Sequence, residues 1–354
     1  MTTRPRTAQR TFDPVDSWEL SVLEAWSCVL VEEHLTRRTD FFEAGGTSVA
    51  ATQVMSLLRR SLARQYPLTL LMDHPVFADF VRAVRTDTAQ PVPLVSVPAA
   101  ASAAVPDGPR SAWFHAAGGE VMFLRPLAAR LPQARFLGVR DTDWDRPVHA
   151  PVTAQEFTEK AAQHHRLLSA DSSVDRLAGY SSGAFLAHET TLLRRRAGVP
   201  TAPALLVDPP PVPERPSAPS YEEVLARRLG ISREAAADAT GHPEEWRAAL
   251  ARRSPVGALP EESYDDWLTK LCRISAKGEW ALCRYRPTAY PDRPWLVLSR
   301  RRPDLERTVR DWTGVCGQRP AVTTIDASHD DIITHPDLAD VVADWLRQPV
   351  TGGP

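Results

Sequence analysis

The sequence predicts a chain in two parts. The first is a small all-helical bundle of four helices; the second is a larger α/β domain, with a mainly parallel sheet and a helical insertion. Three observations carry this. Apolar residues recur at three- and four-residue steps from about position 17 to 84. Positions 86–110 are rich in Pro and Ala and have no period. From Ser111 onward short apolar strand patterns alternate with helical ones. At 354 residues the chain has the length of roughly two domains of ~150 residues each.

In chain order, residues 1–15 are polar and are predicted to be disordered. Trp18, Leu20, Val22, Leu23, Trp26, Val29 and Leu30 then mark the first helix of a bundle spanning 16–85. A turn from Thr39 leads into a second amphipathic helix reaching about Ala63. A short segment, Leu68 to Pro75, precedes a last helix whose apolar face holds Val76, Phe77, Phe80, Val81 and Val84. Ser48 stands behind Gly45, Gly46 and Thr47 at the start of the second helix. Read locally, it is a helix N-cap. The surrounding stretch Asp40 to Ala51, D-F-F-E-A-G-G-T-S-V-A-A, resembles the D-x-F-F-x-x-G-G-x-S-[LIV]-x-A segment of peptidyl and acyl carrier domains. The resemblance covers about 17–84. It implies that Ser48 carries 4'-phosphopantetheine, attached by a phosphopantetheinyl transferase, and that the arm's thiol holds an acyl cargo. Ala44, Thr47 and Val49 depart from the commonest residues of that segment without touching the modifiable hydroxyl.

Positions 86–110 read as an interdomain linker, extended where its prolines cluster. Beyond it, strand candidates lie at 112–115, 134–139, 175–179, 204–207, 295–298 and 322–325, separated by helices. In an open parallel sheet, ligands bind beyond the carboxyl ends of the strands. Ser181, Asp208 and His329 each directly follow a strand candidate, so all three fall on that edge.

Ser181 lies in Gly179-Tyr180-Ser181-Ser182-Gly183, spaced G-x-S-x-G. That spacing suits a sharp strand-to-helix turn exposing the serine hydroxyl beside a positive helix end. Nucleophilic catalysis by serine needs an imidazole base and a carboxylate to hold the imidazole tautomer. The order Ser, Asp, His is the one an α/β-hydrolase uses. Asp208 ends an apolar strand before Pro209, Pro210 and Pro211 and is the favoured acid. Asp304, after the strand at Trp295, is its rival. Asp330 and Asp331 stand too close in sequence to His329 to orient it easily. His335 reads as the residue before the helix-initiating Pro336 rather than as the base.

The second part, about 111–350, resembles the type I thioesterase domains that end nonribosomal peptide and polyketide assembly lines. The resemblance rests on Phe114 to Gly119 (F-H-A-A-G-G, similar to an H-P-A-G-G loop), the Ser181 turn, Leu206 to Asp208, and Ser328-His329. Ala116 and Ala184 depart from that family's usual Pro and second Gly. The resemblance implies an oxyanion hole made by the backbone N–H of Ser182 and one from Ala117 or Gly118. It also implies that the insertion at about 212–290 is a helical lid over an acyl channel. Helices are expected at 221–229, 234–237, 243–252 and 261–283, and Trp246, Tyr264, Trp267, Leu268, Leu271 and Trp280 could pack the lid or line the channel.

Composition excludes several classes. Net charge is −2 and Arg is scattered, so nothing points to nucleic acid. No apolar run approaches the ~20 residues that span a bilayer, and residues 1–10 have no apolar signal core. Cys28, Cys272, Cys283 and Cys316 form no C-x-x-C pair, and with ten scattered His they give no metal site; the expected setting is a reducing cytoplasm. The expectation is a carrier–thioesterase didomain, loaded by an upstream synthetase or by adenylating or condensing enzymes. It would release cargo by hydrolysis or cyclisation. The alternatives are an acyltransferase serving a separate acceptor, or a carrier joined to a non-catalytic, hydrolase-like scaffold.

Overall fold

A computed structural model describes residues 9–10, 12–30, 34–62, 66, 69–86, 93–97, 108–117, 119, 121, 123–141, 157–169, 173–212, 219–238, 241–251, 267–289 and 293–350. The chain divides into two compact units, one made mainly of residues 1–92 and the other of 93–258 and 268–354.

Among the described residues the first unit holds four helices: α1 (Ser17–Val29), α2 (Ser48–Leu62), α3 (Thr69–Asp73) and α4 (Phe77–Thr86). Asp16 caps α1 by accepting the Glu19 N–H at 2.9 Å. The periodic apolar residues meet in one core. Trp26 is fully buried and sets its ring edge-on to Phe41 and Phe77, beside Phe80. Residues 9–10 and 12–15 of the polar N-terminal stretch are more ordered than its composition predicts. β1 (Gln9–Arg10) pairs in parallel with β2 (His34–Leu35), and Phe12 packs edge-on against Phe77. A single aromatic anchors it, and Arg37 lies over that ring at 4.5 Å. Residues 1–8 and 11 lie outside the described residues.

Among the described residues the second unit is built on a seven-stranded sheet. In chain order its elements are β3 (Leu94–Val97), β4 (Arg110–Phe114), α5 (Leu124–Arg130), β5 (Arg135–Val139), α6 (Phe157–Ser169), β6 (Arg176–Tyr180), α7 (Gly183–Arg196) and β7 (Leu205–Val207). The insertion helices α8 (Tyr221–Leu229), α9 (Arg233–Ala237), α10 (Pro243–Ala251) and α11 (Trp267–Arg284) follow. Then come β8 (Trp295–Ser299), α12 (Leu305–Cys316), β9 (Ala321–Ile325) and α13 (Pro336–Leu346). The sheet order is β3-β5-β4-β6-β7-β8-β9, parallel except for β3. Buried side chains fill both faces. Trp113, Val121 and Trp345 lie in one apolar cluster, and Phe114, Phe185 and Trp312 in the other.

One boundary is corrected. Residues 94–97 lie within the expected linker, yet they form the antiparallel edge strand on β5, pairing Leu94 with Val139 and Val97 with Phe136. The reason is visible in the four residues, L-V-S-V: β-branched and apolar enough to extend a sheet, with Val97 buried against the core. Residues 87–92 and 98–107 lie outside the described residues.

In the insertion, Ser220 and Glu223 form a reciprocal capping box at the start of α8. Trp246 Nε1 donates to the Ala235 carbonyl at 2.7 Å, and Trp280 Nε1 to that of Pro219 at 2.8 Å. Both aromatics therefore pack the insertion. Tyr264 and the side chains of Trp267, Leu268 and Leu271 lie outside the described residues. No described helix is long and apolar enough to cross a membrane.

Candidate active site

Three strand ends position the site. β6 runs into Ser181, whose φ of 55° puts a non-glycine residue in the left-handed region. Its N–H donates to the Val207 carbonyl at 2.9 Å, which fixes the turn to the neighbouring strand. The two glycines of the turn are dictated by close packing. A Cβ on Gly179 would lie 2.0 Å from the Gly183 carbonyl oxygen, and one on Gly183 would lie 2.5 Å from those of Phe114 and His115. α7 can thus start directly against the end of β4, with its positive end beside Ser181.

β7 ends in Asp208, also left-handed at φ 43°, whose N–H donates to Val297 at 2.7 Å. The side chain is buried and carries three hydrogen bonds. Oδ1 accepts from the Ser299 N–H at 2.9 Å and from Arg302 Nη1 at 2.8 Å, and Oδ2 accepts from His329 Nδ1 at 2.7 Å. Burial alone would raise its pKa. The bonds from His329 and Ser299 and the Arg302 charge outweigh that and hold it below the usual carboxylate value. An ionised carboxylate at Oδ2 places the imidazole proton on Nδ1, so Nε2 presents a lone pair, 3.1 Å from Ser181 Oγ.

His329 follows β9 in a loop, with its side chain about half exposed. The loop is braced by the Asp331 N–H, which donates to Ser328 Oγ at 3.2 Å. Tyr180, the residue before the serine, stacks its ring on His329 with centroids 5.1 Å apart, and its hydroxyl donates to the His329 carbonyl at 2.7 Å. Burial, with the charges of Asp330, Asp208 and Asp331, raises the phenol's pKa, so it stays a donor.

The rival residues fall elsewhere. Asp304 accepts from Arg302 Nε at 2.7 Å and heads α12. Asp331 accepts the Ser328 hydroxyl at 2.5 Å. His335 caps α13 through the Asp337 N–H. Of the expected oxyanion donors, Ser182 is the N-cap of α7 and lines a small cavity with Ala117; Gly118 lies outside the described residues. Two contributors went unread in the sequence. Arg302 is the last of three consecutive arginines in an Arg-rich chain, with nothing to single it out. Tyr180 sits inside the motif, where its aromatic character was the available signal.

A serine, an imidazole and a carboxylate hydrogen-bonded in series at the carboxyl edge of a parallel sheet, with the acid after β7 and the imidazole after β9, give the architecture of an α/β-hydrolase. Residues 111–347 match the family model described as thioesterase domain, and the chain belongs to that family. Residues 21–84 match the model described as phosphopantetheine attachment site, a domain that binds 4'-phosphopantetheine on a serine, so a carrier domain precedes the thioesterase domain. Over 72 residues, 20% of this chain, it is 39% identical to a component of the linear gramicidin synthase of Brevibacillus parabrevis. Over 85 residues, 23% of the chain, it is 36% identical to tyrocidine synthase 3 of the same organism. The chain covers about 1% of the length of each. Among solved structures it is similar to a holo four-domain nonribosomal peptide synthetase bound to AMP and glycine (TM-score 0.57, 17% identity, 96% of this chain and 27% of that one). It is also similar to the NocB thioesterase domain in covalent complex with a fluorophosphonate nocardicin G analogue (TM-score 0.51, 18% identity, 72% of this chain and 100% of that one). At these identities the two share the fold.

Proposed function

We propose that Ser181 is the nucleophile, His329 the general base and Asp208 the orienting acid in cleavage of a thioester. The observation that carries this is the unbroken series Ser181 Oγ, His329 Nε2 at 3.1 Å, and His329 Nδ1 to Asp208 Oδ2 at 2.7 Å. Ser181 attacks the acyl carbon while Nε2 takes its proton, and Asp208 holds the imidazolium that forms. The oxyanion is met by the N–H of Ser182 at the positive start of α7, with Ala117 or Gly118 as the second donor. As the tetrahedral species collapses, the C–S bond breaks, the thiol leaves with the proton from Nε2, and Ser181 holds the acyl group as an ester. His329 then deprotonates a water, or a nucleophile within the acyl chain, and the second attack regenerates Ser181.

Ser48 is the residue we assign to 4'-phosphopantetheine, and its backbone setting fits the group. The helix-capping role belongs to Thr47, whose Oγ1 accepts the Ala50 N–H at 3.1 Å, so Ser48 is the first residue inside α2. Ahead of it, Gly46 lies so close to the Phe41 ring that a Cβ would sit 2.4 Å away. The start of a fifteen-residue helix suits the phosphodiester by which the group is attached. When bound, it supplies the thiol that presents the acyl group as a thioester. A phosphopantetheinyl transferase installs it, and upstream synthetase or adenylating and condensing enzymes load it. The free thiols of Cys28 and Cys283 support a cytoplasmic setting.

Release by transfer to a separate acceptor uses the same acyl-Ser181 ester and differs only in the second nucleophile. A non-catalytic scaffold has no use for a base aligned on the serine. Labelling with a fluorophosphonate tests this: Ser181 is expected to be modified and His329→Ala to slow the modification strongly. An unlabelled native chain would rule out the catalytic reading.

A further inference from the structure

Beside Ser182 lies a small cavity whose polar groups take no part in the hydrogen-bonded series of Ser181. It has a volume of about 20 Å³, room for one small polar group, and its lining includes His115, Ala117, Asp141, Lys160, Ser182 and Lys277. Helix α11 rests directly on the Ala117 loop: a Cβ on Gly278 would be 3.3 Å from Ala117 Cα and Cβ.

His115 makes this cavity chemically specific. It is 6% exposed, and its Nδ1 lies 2.8 Å from the Ala116 carbonyl oxygen, which can only accept. Nδ1 therefore carries the proton. Burial holds the imidazole pKa below its usual value, so the ring is neutral and Nε2 is a bare lone pair. That atom has no hydrogen-bond partner among the described residues. The other lining groups complement it. Asp141 is buried and accepts from Lys160 at 2.5 Å; burial works to raise its pKa, but the charge and hydrogen bond of Lys160 together with the neighbouring His115 and Lys277 outweigh this and bring it to about 2. Lys277 is 9% exposed, and its ammonium carries three N–H donors. The residues that line this one-group cavity thus bring together a buried, unpartnered acceptor and ammonium donors. A carboxylate would set its lone pairs against that of Nε2, and an alkyl group would leave Nε2 unsatisfied. A hydroxyl both donates and accepts.

We propose that this cavity is an acyl-recognition subsite for a hydroxyl carried close to the thioester carbonyl, so that the group passed to Ser181 is a 2- or 3-hydroxyacyl chain. The proposal rests on the thioesterase reading of Ser181. His115 Nε2 takes the hydroxyl hydrogen and a lysine N–H meets its oxygen.

The test separates binding from turnover. In the full chain with Ser181→Ala, calorimetry measures the affinity of N-acetylcysteamine thioesters of butanoate and of each enantiomer of 2- and 3-hydroxybutanoate. One hydroxy compound is expected to bind about tenfold or more tighter than butanoyl, since the unsubstituted chain leaves a buried acceptor unpaired. Adding His115→Phe, or separately Lys277→Met should the first disturb folding, is expected to shrink that preference to about twofold or less. Equal affinities across the set, or a preference that survives both variants, would overturn the subsite and leave the cavity to water. A hydroxy preference in a native chain that cleaves none of the thioesters would uphold the subsite and fault the thioesterase reading.

Discussion

Ser48 and Ser181 each follow a glycine-bearing turn and stand at the start of a helix, α2 and α7. Both helix starts favour negative charge: in the proposed function, a phosphodiester at the first and a developing oxyanion at the second. The difference lies in what converges on them. The turn before Ser48 uses its polar groups on itself. Asp40 Oδ1 accepts from the Phe42 and Glu43 N–H groups, and Thr47 caps the helix. Ser181 is instead held at φ 55°, outside the helix, where β7 and β9 bring a carboxylate and an imidazole to it in series. A helix end favours an anion, whereas an attacking serine also needs a base, and here that takes three strands.

The sharpest way to break this comparison is to exchange the two losses. Ser181→Ala is expected to abolish fluorophosphonate labelling while the protein still gains the mass of the arm when incubated with coenzyme A and a phosphopantetheinyl transferase. Ser48→Ala is expected to do the reverse, with labelling at the native rate. Intact-protein mass reads both. A Ser48→Ala chain that still gains the arm would move the attachment to another serine of 21–84.

The next largest effect concerns the two carboxylates joined by Arg302. Asp208→Asn is expected to lower kcat/KM on a soluble thioester by about 10⁴-fold, because an amide cannot hold the tautomer that leaves Nε2 bare. Asp304→Asn removes only one of the Arg302 partners and leaves the guanidinium on Asp208, so a loss of less than about tenfold is expected. A crippling Asp304→Asn would reverse the acid assignment.

Separating the two regions comes third. The sheet begins at Leu94, so a thioesterase fragment starting at residue 105 lacks its edge strand and one starting at 91 keeps it. Loss of that ladder and of buried Val97 is expected to cost about 2–4 kcal/mol and to lower Tm by roughly 5–10 °C. Equal melting of the two fragments would make β3 dispensable.

Much of this was legible in the sequence because it is local. The G-x-S-x-G turn names its own geometry, and clashes of 2.0 and 2.5 Å at Gly179 and Gly183 are the physical content of its glycines. The strand patterns of the sequence alone place Asp208 and His329 on the serine's edge. What escaped depends on contacts far apart in sequence. β3 is four residues among prolines, and only its pairing with β5, some forty residues later, distinguishes it from a linker. Gln9–Arg10 is polar and is ordered by β2 and by the packing of Phe12. The cavity draws His115, Asp141, Lys160 and Lys277 from four separate segments, and only His115 belongs to a motif, the Phe114 to Gly119 loop.

The smallest expected effect sharpens how the imidazole beside Ser181 is held. His329 lies on a loop with its side chain half exposed, so Asp208 alone fixes only one end of the ring. Tyr180 adds a stacked face and a 2.7 Å hydrogen bond to the His329 carbonyl, coupling the His329 loop to the strand that runs into Ser181. Tyr180→Phe keeps the face and removes the bond. One neutral hydrogen bond contributes about 0.5–1.5 kcal/mol, so a fall in kcat of roughly 2–10-fold is expected, with KM little changed, since the phenol hydroxyl is spent on backbone rather than on substrate. Tyr180→Leu, which also removes the stacked ring, is expected to fall further. The same order should appear in the fluorophosphonate labelling rate, which needs the base but no acyl pocket. A Tyr180→Phe chain that labels at the native rate while losing affinity for thioesters would assign the tyrosine to substrate binding instead.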